Sequence, residues 1–214
     1  MNKFKFDENN TFCINLDSNI ERWNRMQKRF DNINLKVSKW KASTIEDISD
    51  NFDEKLSDLQ KACAQSHLNV WKYIVEKNLE YGFILEDDAC FDKKWLDKLN
   101  EFNYDKWNGI FLNSSEPLTE LNKWTEIKDH YLCGGYIITY YSAKFLIDAF
   151  KECYYSADWM TTELQYYGNS YSYFPWLIIQ EGKDTTINSN VDLDHQKVIK
   201  CLNEINYSID NYNI

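Results

Sequence analysis

The stretch that most restricts this chain is GFILEDDACF, residues 82–91. Burying an unpaired carboxylate is costly, so Glu86, Asp87 and Asp88 cannot sit loose in a core. Yet Phe83, Ile84 and Leu85 precede them and Ala89, Cys90 and Phe91 follow. A buried strand that ends abruptly at a polar place satisfies both halves. In an α/β fold, ligands gather outside the carboxyl ends of the strands. Acids at such an end suit a hard cation, Mg²⁺ or Mn²⁺, which takes one or two carboxylates and phosphate oxygens. Residues two apart in an extended segment point the same way, which makes Glu86 and Asp88 converge and turns Asp87 aside. The other reading is a solvated strand end with acids in ordinary turn positions, and the pattern alone leaves both open.

The rest of the chain supplies the alternation that an α/β fold needs. TFCINL (11–16) reads as a strand, and Asp17-Ser18-Asn19 after it as a helix cap. Ile20, Trp23, Met26 and Phe30 then recur at helical spacing, with Arg22, Arg25 and Arg29 on the other sides. LKVSKW (35–40) is a second strand, and 44–56 an acidic loop. Ser57-Asp58 caps a long helix whose Leu59, Cys63, His67, Val70 and Ile74 share one face, and Gly82 ends it. A short helix is expected at 95–102, a strand at 107–112, a loop over 113–129 and a strand at 131–140 around Gly134-Gly135. Helices follow at 141–150 and 157–167. YSYFPWLIIQ (171–180) is extended, with Pro175 arguing against a central strand. A capped helix closes the chain. This is the βαβ pattern of a largely parallel sheet in one domain of 214 residues.

Charge excludes some partners. A net charge of −10 with no Lys/Arg block is wrong for nucleic acid or an anionic lipid surface. The six cysteines are dispersed and lie largely in apolar runs, which reads as buried free thiols in a reducing compartment. No signal peptide and no membrane span are seen, so the expected location is cytoplasmic. Aromatic residues at 16% supply more than a core needs and leave room for ring stacking or a homodimer.

Several blocks, in order, carry a resemblance. INLDSNIERWNRM, KACAQSHLNVW, FILEDDACF, YLCGGYIITYYSAKFLI, Asp158 and YFPWLIIQ…INSN resemble the successive motifs of glycosyltransferase family 25 over roughly residues 11–190. That group includes lipooligosaccharide sugar transferases and procollagen galactosyltransferases. Ala62 stands where the family has Gly, Gln65 where it has Leu, and Ser18 and Asn19 where it has basic residues.

The resemblance implies a GT-A glycosyltransferase fold, a Rossmann-like, mostly parallel sheet flanked by helices. It implies a UDP-glucose or UDP-galactose donor and an acidic motif holding Mn²⁺ (or Mg²⁺) on the diphosphate. By this carry-over Glu86 and Asp88 are metal ligands and His195 a third. Against that reading of His195, Asp194 in SNVDLDHQ could simply cap the last helix. Asn15, Asp17, Arg22, Arg25, Ser66, His67 and Asp87 are implied at the donor. Asp17 is equally a helix cap, the arginines equally a solvated face, and His67 equally a core histidine. Asp158 is the candidate base for the acceptor hydroxyl, with Glu163 behind it, or else a helix-capping carboxylate. Trp159, Tyr166 and Tyr167 suit a sugar face or a core. The expected activity is hexose transfer to a hydroxyl, leaning to collagen hydroxylysine or its galactosylated form, with a lipooligosaccharide-type glycan as alternative acceptor. Two rivals remain, a non-catalytic glycan- or nucleotide-binding module and a metal-dependent phosphohydrolase; against the latter, no Asp-x-Asp-x-Thr block is present.

Overall fold

The computed structural model describes residues 4–182 and 191–214, with side chains in the last helix from residue 196. Its strands are β1 (Thr11–Asn15), β2 (Ser38–Lys41), β3 (Tyr81–Glu86), β4 (Ala89–Phe91), β5 (Gly109–Phe111), β6 (Lys123–Glu126), β7 (Gly135–Thr139), β8 (Ser170–Phe174) and β9 (Ile178–Gln180). The helices are α1 (Ile20–Asn32), α2 (Asp58–Glu76), α3 (Trp95–Asn100), α4 (Tyr140–Ala149), α5 (Ala157–Tyr166) and α6 (Val191–Glu204). A seven-stranded sheet has the order β2-β1-β3-β7-β5-β8-β6, and β4 pairs with β9 in a separate two-stranded ribbon. β2, β1, β3, β5 and β8 run one way, and β7 and β6 against them. The fold is therefore α/β with a mostly parallel sheet flanked by helices, as a GT-A-like glycosyltransferase fold requires.

Both sheet faces are covered, and the strands divide their side chains between two cores. On β1, Phe12 and Ile14 join one core and Cys13 the other. On β3, Ile84 joins the first and Phe83 and Leu85 the second. Ile138 and Tyr136 oppose Ile137 on β7 in the same way. This period of two is the geometry of a pleated strand buried on both faces. It explains why β3 reads as a continuous apolar run rather than an alternating one.

Several expectations need correcting. Gly82 does not end α2, which stops at Glu76 with Lys77 as its cap; it lies within β3. There a Cβ would come within 2.4 Å of Ile74 Cδ1, so close helix–sheet packing accounts for the glycine. Leu59 is exposed at the start of α2, and burial extends around the helix from Ala62 to Trp71 instead. The expected loop 113–129 contains β6, the edge strand, whose alternation is only four residues long. β8 does lie inside the sheet, between β5 and β6, but ends at Phe174, one residue before Pro175. The helix after β1 is capped by Asn19, whose side chain accepts from Arg22 N, and not by Asp17. Asp17 is instead paired with Lys39 at 3.1 Å. As expected, none of the six cysteines is in a disulfide.

The arginines of α1 are the largest correction. Arg22 and Arg29 are buried alongside Met26 and Phe30, while Ile20 is 63% exposed. The inward stripe holds Arg22, Arg25 and Arg29, spaced i, i+3, i+7, because acids on the neighbouring elements neutralise it. This architecture sets unequal roles for two apolar residues. Phe83→Ala should lower unfolding stability by about 3–5 kcal/mol, whereas Ile20→Ala should change it by less than about 0.5 kcal/mol, as read by urea denaturation.

Candidate active site

The site forms where β3 ends and the chain turns through Asp87 and Asp88 into β4. Because this is a tight turn rather than an extended segment, the rule of alternate side chains does not apply. Asp87 does not turn aside. Arg22 bridges the two aspartates, with Nη1 3.0 Å from Asp87 Oδ1 and Nη2 3.1 Å from Asp88 Oδ2. Asn15, at the end of β1 and 1% exposed, donates from Nδ2 to Asp87 Oδ2 at 2.6 Å. Asn15 and Arg22 thus hold the acid turn; they come to it from adjacent ends of β1 and α1.

Glu86 is engaged on both sides. Its Oε2 accepts from Gln180 Nε2 at 3.0 Å, across the β4–β9 ribbon, and its Oε1 lies 3.4 Å from His67 Nε2. The remaining acid atom is Asp88 Oδ1. It is buried and makes no hydrogen bond of good geometry among the described residues, although the Gln180 amide is near enough to pull the Asp88 carboxyl down slightly against its burial. The carboxylate oxygens of Asp88 and Glu86, one of them buried without a well-formed hydrogen bond among the described residues, fit a hard divalent cation, and these two residues are the ones that could hold it.

Electrostatics agree. Burial pushes the Asp88 carboxyl up from 3.8 to about 7, with the neighbouring Glu86 adding to the rise and Arg22 opposing it. Burial also raises Asp87, against the pull of Arg22 and the hydrogen bond from Asn15. Three carboxylates face one guanidinium, and in the metal-free chain a proton on Asp88 makes up part of the balance.

The other expected residues divide. Arg25 is at Glu181, Nε to Oε2 at 3.2 Å, and Arg29 reaches the same oxygen at 3.1 Å. These two arginines tie α1 to the residue after β9 and do not reach the acid turn. Ser66 is 1% exposed, donating to Ala62 O and accepting from Ser43 N, so its hydroxyl belongs to the fold. His67 is fully buried, so a direct donor contact would require the helix to move. Asp158 lies in the first turn of α5, where its Oδ1 accepts from Trp159 N; the N-cap is Ser156. Burial raises the Cys63 and Cys133 thiols, and the charges of Asp158 and Glu86 add to both rises. Glu163 lies five residues on, about 140° around the helix, and its charge acts on Tyr166. Trp159, Tyr166 and Tyr167 are exposed rather than core. The side chains of Asp192, Asp194 and His195, and the 187–190 stretch, lie outside the described residues.

Sequence reasoning missed Gln180, Cys63 and the Trp71–Tyr136 pair behind His67. Cys63, His67 and Trp71 recur every fourth residue on α2, a spacing that does point to one face. Gln180 closes the YFPWLIIQ block, but its partner Glu86, like the position of Tyr136, is set by strand pairing.

Comparison with known proteins gives the class. Residues 8–126 match the model of glycosyltransferase family 25 (LPS biosynthesis protein). The chain is 25% identical over 178 residues to procollagen galactosyltransferase 1-A of Xenopus laevis, covering 69% of this chain and 29% of that protein. A glycosyltransferase 25 family member of Anopheles gambiae is 25% identical over 177 residues, covering 68% of this chain and 29% of the relative. Lipooligosaccharide biosynthesis protein lic2B of Haemophilus influenzae is 32% identical over 124 residues, 54% of this chain and 42% of the relative. The chain belongs to glycosyltransferase family 25. It spans less than a third of the length of the two animal relatives and less than half of the bacterial one.

Two predictions follow from the acid turn. Arg22→Met strands two aspartates without their cation and should cost about 3–5 kcal/mol in urea unfolding at neutral pH, less at mildly acidic pH. The second concerns pH. The folded chain holds the Asp88 proton more tightly than the unfolded chain, at about 7 against 3.8. Between those values the folded state binds more protons, so this group's stabilisation falls as pH rises through the window. In metal-free protein, Asp88→Asn should remove that part of the pH slope, measured as the wild-type minus variant stability at several pH values.

Proposed function

We propose that the chain transfers a hexose, glucose or galactose, from a UDP-sugar to a hydroxyl acceptor, with a Mn²⁺ or Mg²⁺ ion held by Glu86 and Asp88. The observation that carries this is the acid turn at the end of β3, where Asp88 Oδ1 is buried and makes no hydrogen bond of good geometry among the described residues. A bound dication would supply Lewis-acid neutralisation of the diphosphate leaving group. Arg22 and Asn15 hold the acid turn in position. Asp158 accepts the proton of the acceptor hydroxyl as that oxygen bonds to the anomeric carbon and the bond to UDP breaks. The exposed Trp159, beside Asp158 and tilted against Tyr155 with ring centroids 4.4 Å apart, offers a face for the acceptor.

The acceptor we favour is collagen hydroxylysine or its galactosylated form, supported by the procollagen galactosyltransferase relative, whose match covers 69% of this chain. A lipooligosaccharide-type glycan is the second reading, supported by the higher identity, 32%, to the bacterial relative.

The test is a transfer assay with UDP-galactose and UDP-glucose, Mn²⁺, and both acceptor classes, read by mass spectrometry. Product is expected with Mn²⁺ and none after chelation. Asp158→Asn should lower kcat by about 10²–10⁴-fold, and Glu163→Gln should leave it close to wild type. Asp88→Asn should lower it by at least about 10²-fold with the fold intact. No turnover of either donor under any of these conditions would remove the enzyme reading and favour a non-catalytic binding module. Phosphate release without sugar transfer would favour a phosphohydrolase.

A further inference from the structure

Behind Glu86, on the side away from Gln180, the structure gathers a second and chemically different set of metal-binding atoms. Cys63 and His67 lie one helical turn apart on α2, the i, i+4 spacing that puts two ligands on one face. Glu86 arrives from the end of β3. One ligand atom from each, the Cys63 thiol, the His67 imidazole and the Glu86 carboxylate, lies within 4.8 Å of the others. His67 is completely buried, and its Nε2 has no hydrogen-bond partner among the described residues although it is aimed at Glu86.

The distance between Nε2 and Glu86 Oε1 is informative. At 3.4 Å it is long for a hydrogen bond. Two ligands at about 2.0–2.1 Å from one tetrahedral zinc ion stand about 3.4 Å apart. The other face of the ring is fixed. Nδ1 lies 2.8 Å from the Tyr136 hydroxyl, which is itself held by Trp71 Nε1 at 2.9 Å. For Nε2 to take a metal the ring carries its proton on Nδ1 and donates it to the Tyr136 oxygen, which orients the imidazole from behind.

We propose that Cys63, His67 and Glu86 form a site for a borderline-soft divalent cation of the zinc class, adjacent to the hard-cation position at Asp88 and sharing Glu86 with it. The donor set decides the metal. Thiolate and imidazole select Zn²⁺ or Co²⁺ over Mg²⁺ or Mn²⁺, and three protein ligands leave a fourth position open. On binding, the Cys63 thiol gives its proton to solvent and the sulfur bonds to the ion. Without an ion, burial and the nearby Glu86 and Asp158 keep that thiol protonated. Cys63 is half-buried as a residue while its thiol is desolvated. The binding claim stands on this geometry alone. Its consequence, that Zn²⁺ draws Glu86 away from the hard cation and inhibits, rests on the proposed glycosyltransferase activity.

The experiment is a titration of the metal-free, reduced full chain with Co²⁺ as a spectroscopic stand-in for Zn²⁺. Expected are a thiolate-to-cobalt charge-transfer band and tetrahedral-type visible absorption that saturate at one equivalent and vanish when Zn²⁺ is added. Cys63→Ser should abolish the charge-transfer band and weaken Zn²⁺ binding by at least about 100-fold, while circular dichroism stays that of the wild type. Cys133→Ser should keep the band. Tyr136→Phe should weaken binding about 10–100-fold by releasing Nδ1. No charge-transfer band, a band that survives Cys63→Ser, or one lost equally in Cys133→Ser overturns the site. In the transfer assay, Zn²⁺ added over Mn²⁺ should inhibit the wild type and spare Cys63→Ser. Equal inhibition of both removes the regulatory consequence, whereas absence of any transfer removes the activity and leaves the cobalt result as it stands.

Discussion

Carboxylates brought into a sheltered cleft must be neutralised, and the arrangement around β3 follows from that need. A single guanidinium, Arg22, spans Asp87 and Asp88. It reaches them because α1 begins immediately after β1, the strand that runs parallel beside β3. Asn15, the last residue of β1, completes the clasp on Asp87. One buried cation is still not enough for three acids. The raised Asp88 carboxyl is the metal-free chain's response, a proton standing where a dication would otherwise serve.

The same logic orders the elements behind the turn. Arg25 and Arg29 meet Glu181 after β9, and Gln180 meets Glu86, so the β4–β9 ribbon is fastened both to α1 and to the acids. Gly135 lies opposite Leu85 on the neighbouring strand, where a Cβ would come within 2.4 Å of Ile178 Cδ1. Side-chain size at Gly135 is thus limited by the ribbon that carries Gln180. The polar network of the site and the close packing beneath it share the same residues.

Much of this was legible in the sequence, for physical reasons. A strand buried on both faces must be continuously apolar, so FILE announced β3 and its polar end. Ser57 and Gln60 form a capping box, and the start of α2 could be read from it. The α1 arginines could not be oriented, because a charged stripe with i, i+3, i+7 spacing looks solvated until its acids are known. Those acids are distant in sequence: Asp87 and Asp88 lie beyond two strands and the helix α2, and Glu181 lies 156 residues from Arg25. Likewise the role of Gln180 depends on a pairing of β4 with β9 that no local pattern records. Asp158 was placed correctly in the first turn of a helix, but its proximity to Cys63 is a product of tertiary packing.

The proposal tested most directly is that Asp88 in the metal-free chain holds a proton that a bound divalent cation would displace. Calorimetric titration of Mn²⁺, in the presence of UDP, into the full chain just below pH 7 tests this directly. Repeating it in buffers of different ionisation heat counts the protons released. Mn²⁺ should bind with net proton release, and Asp88→Asn should bind it weakly and release none. Mn²⁺ uptake without proton release, or equal release from the variant, would contradict the account.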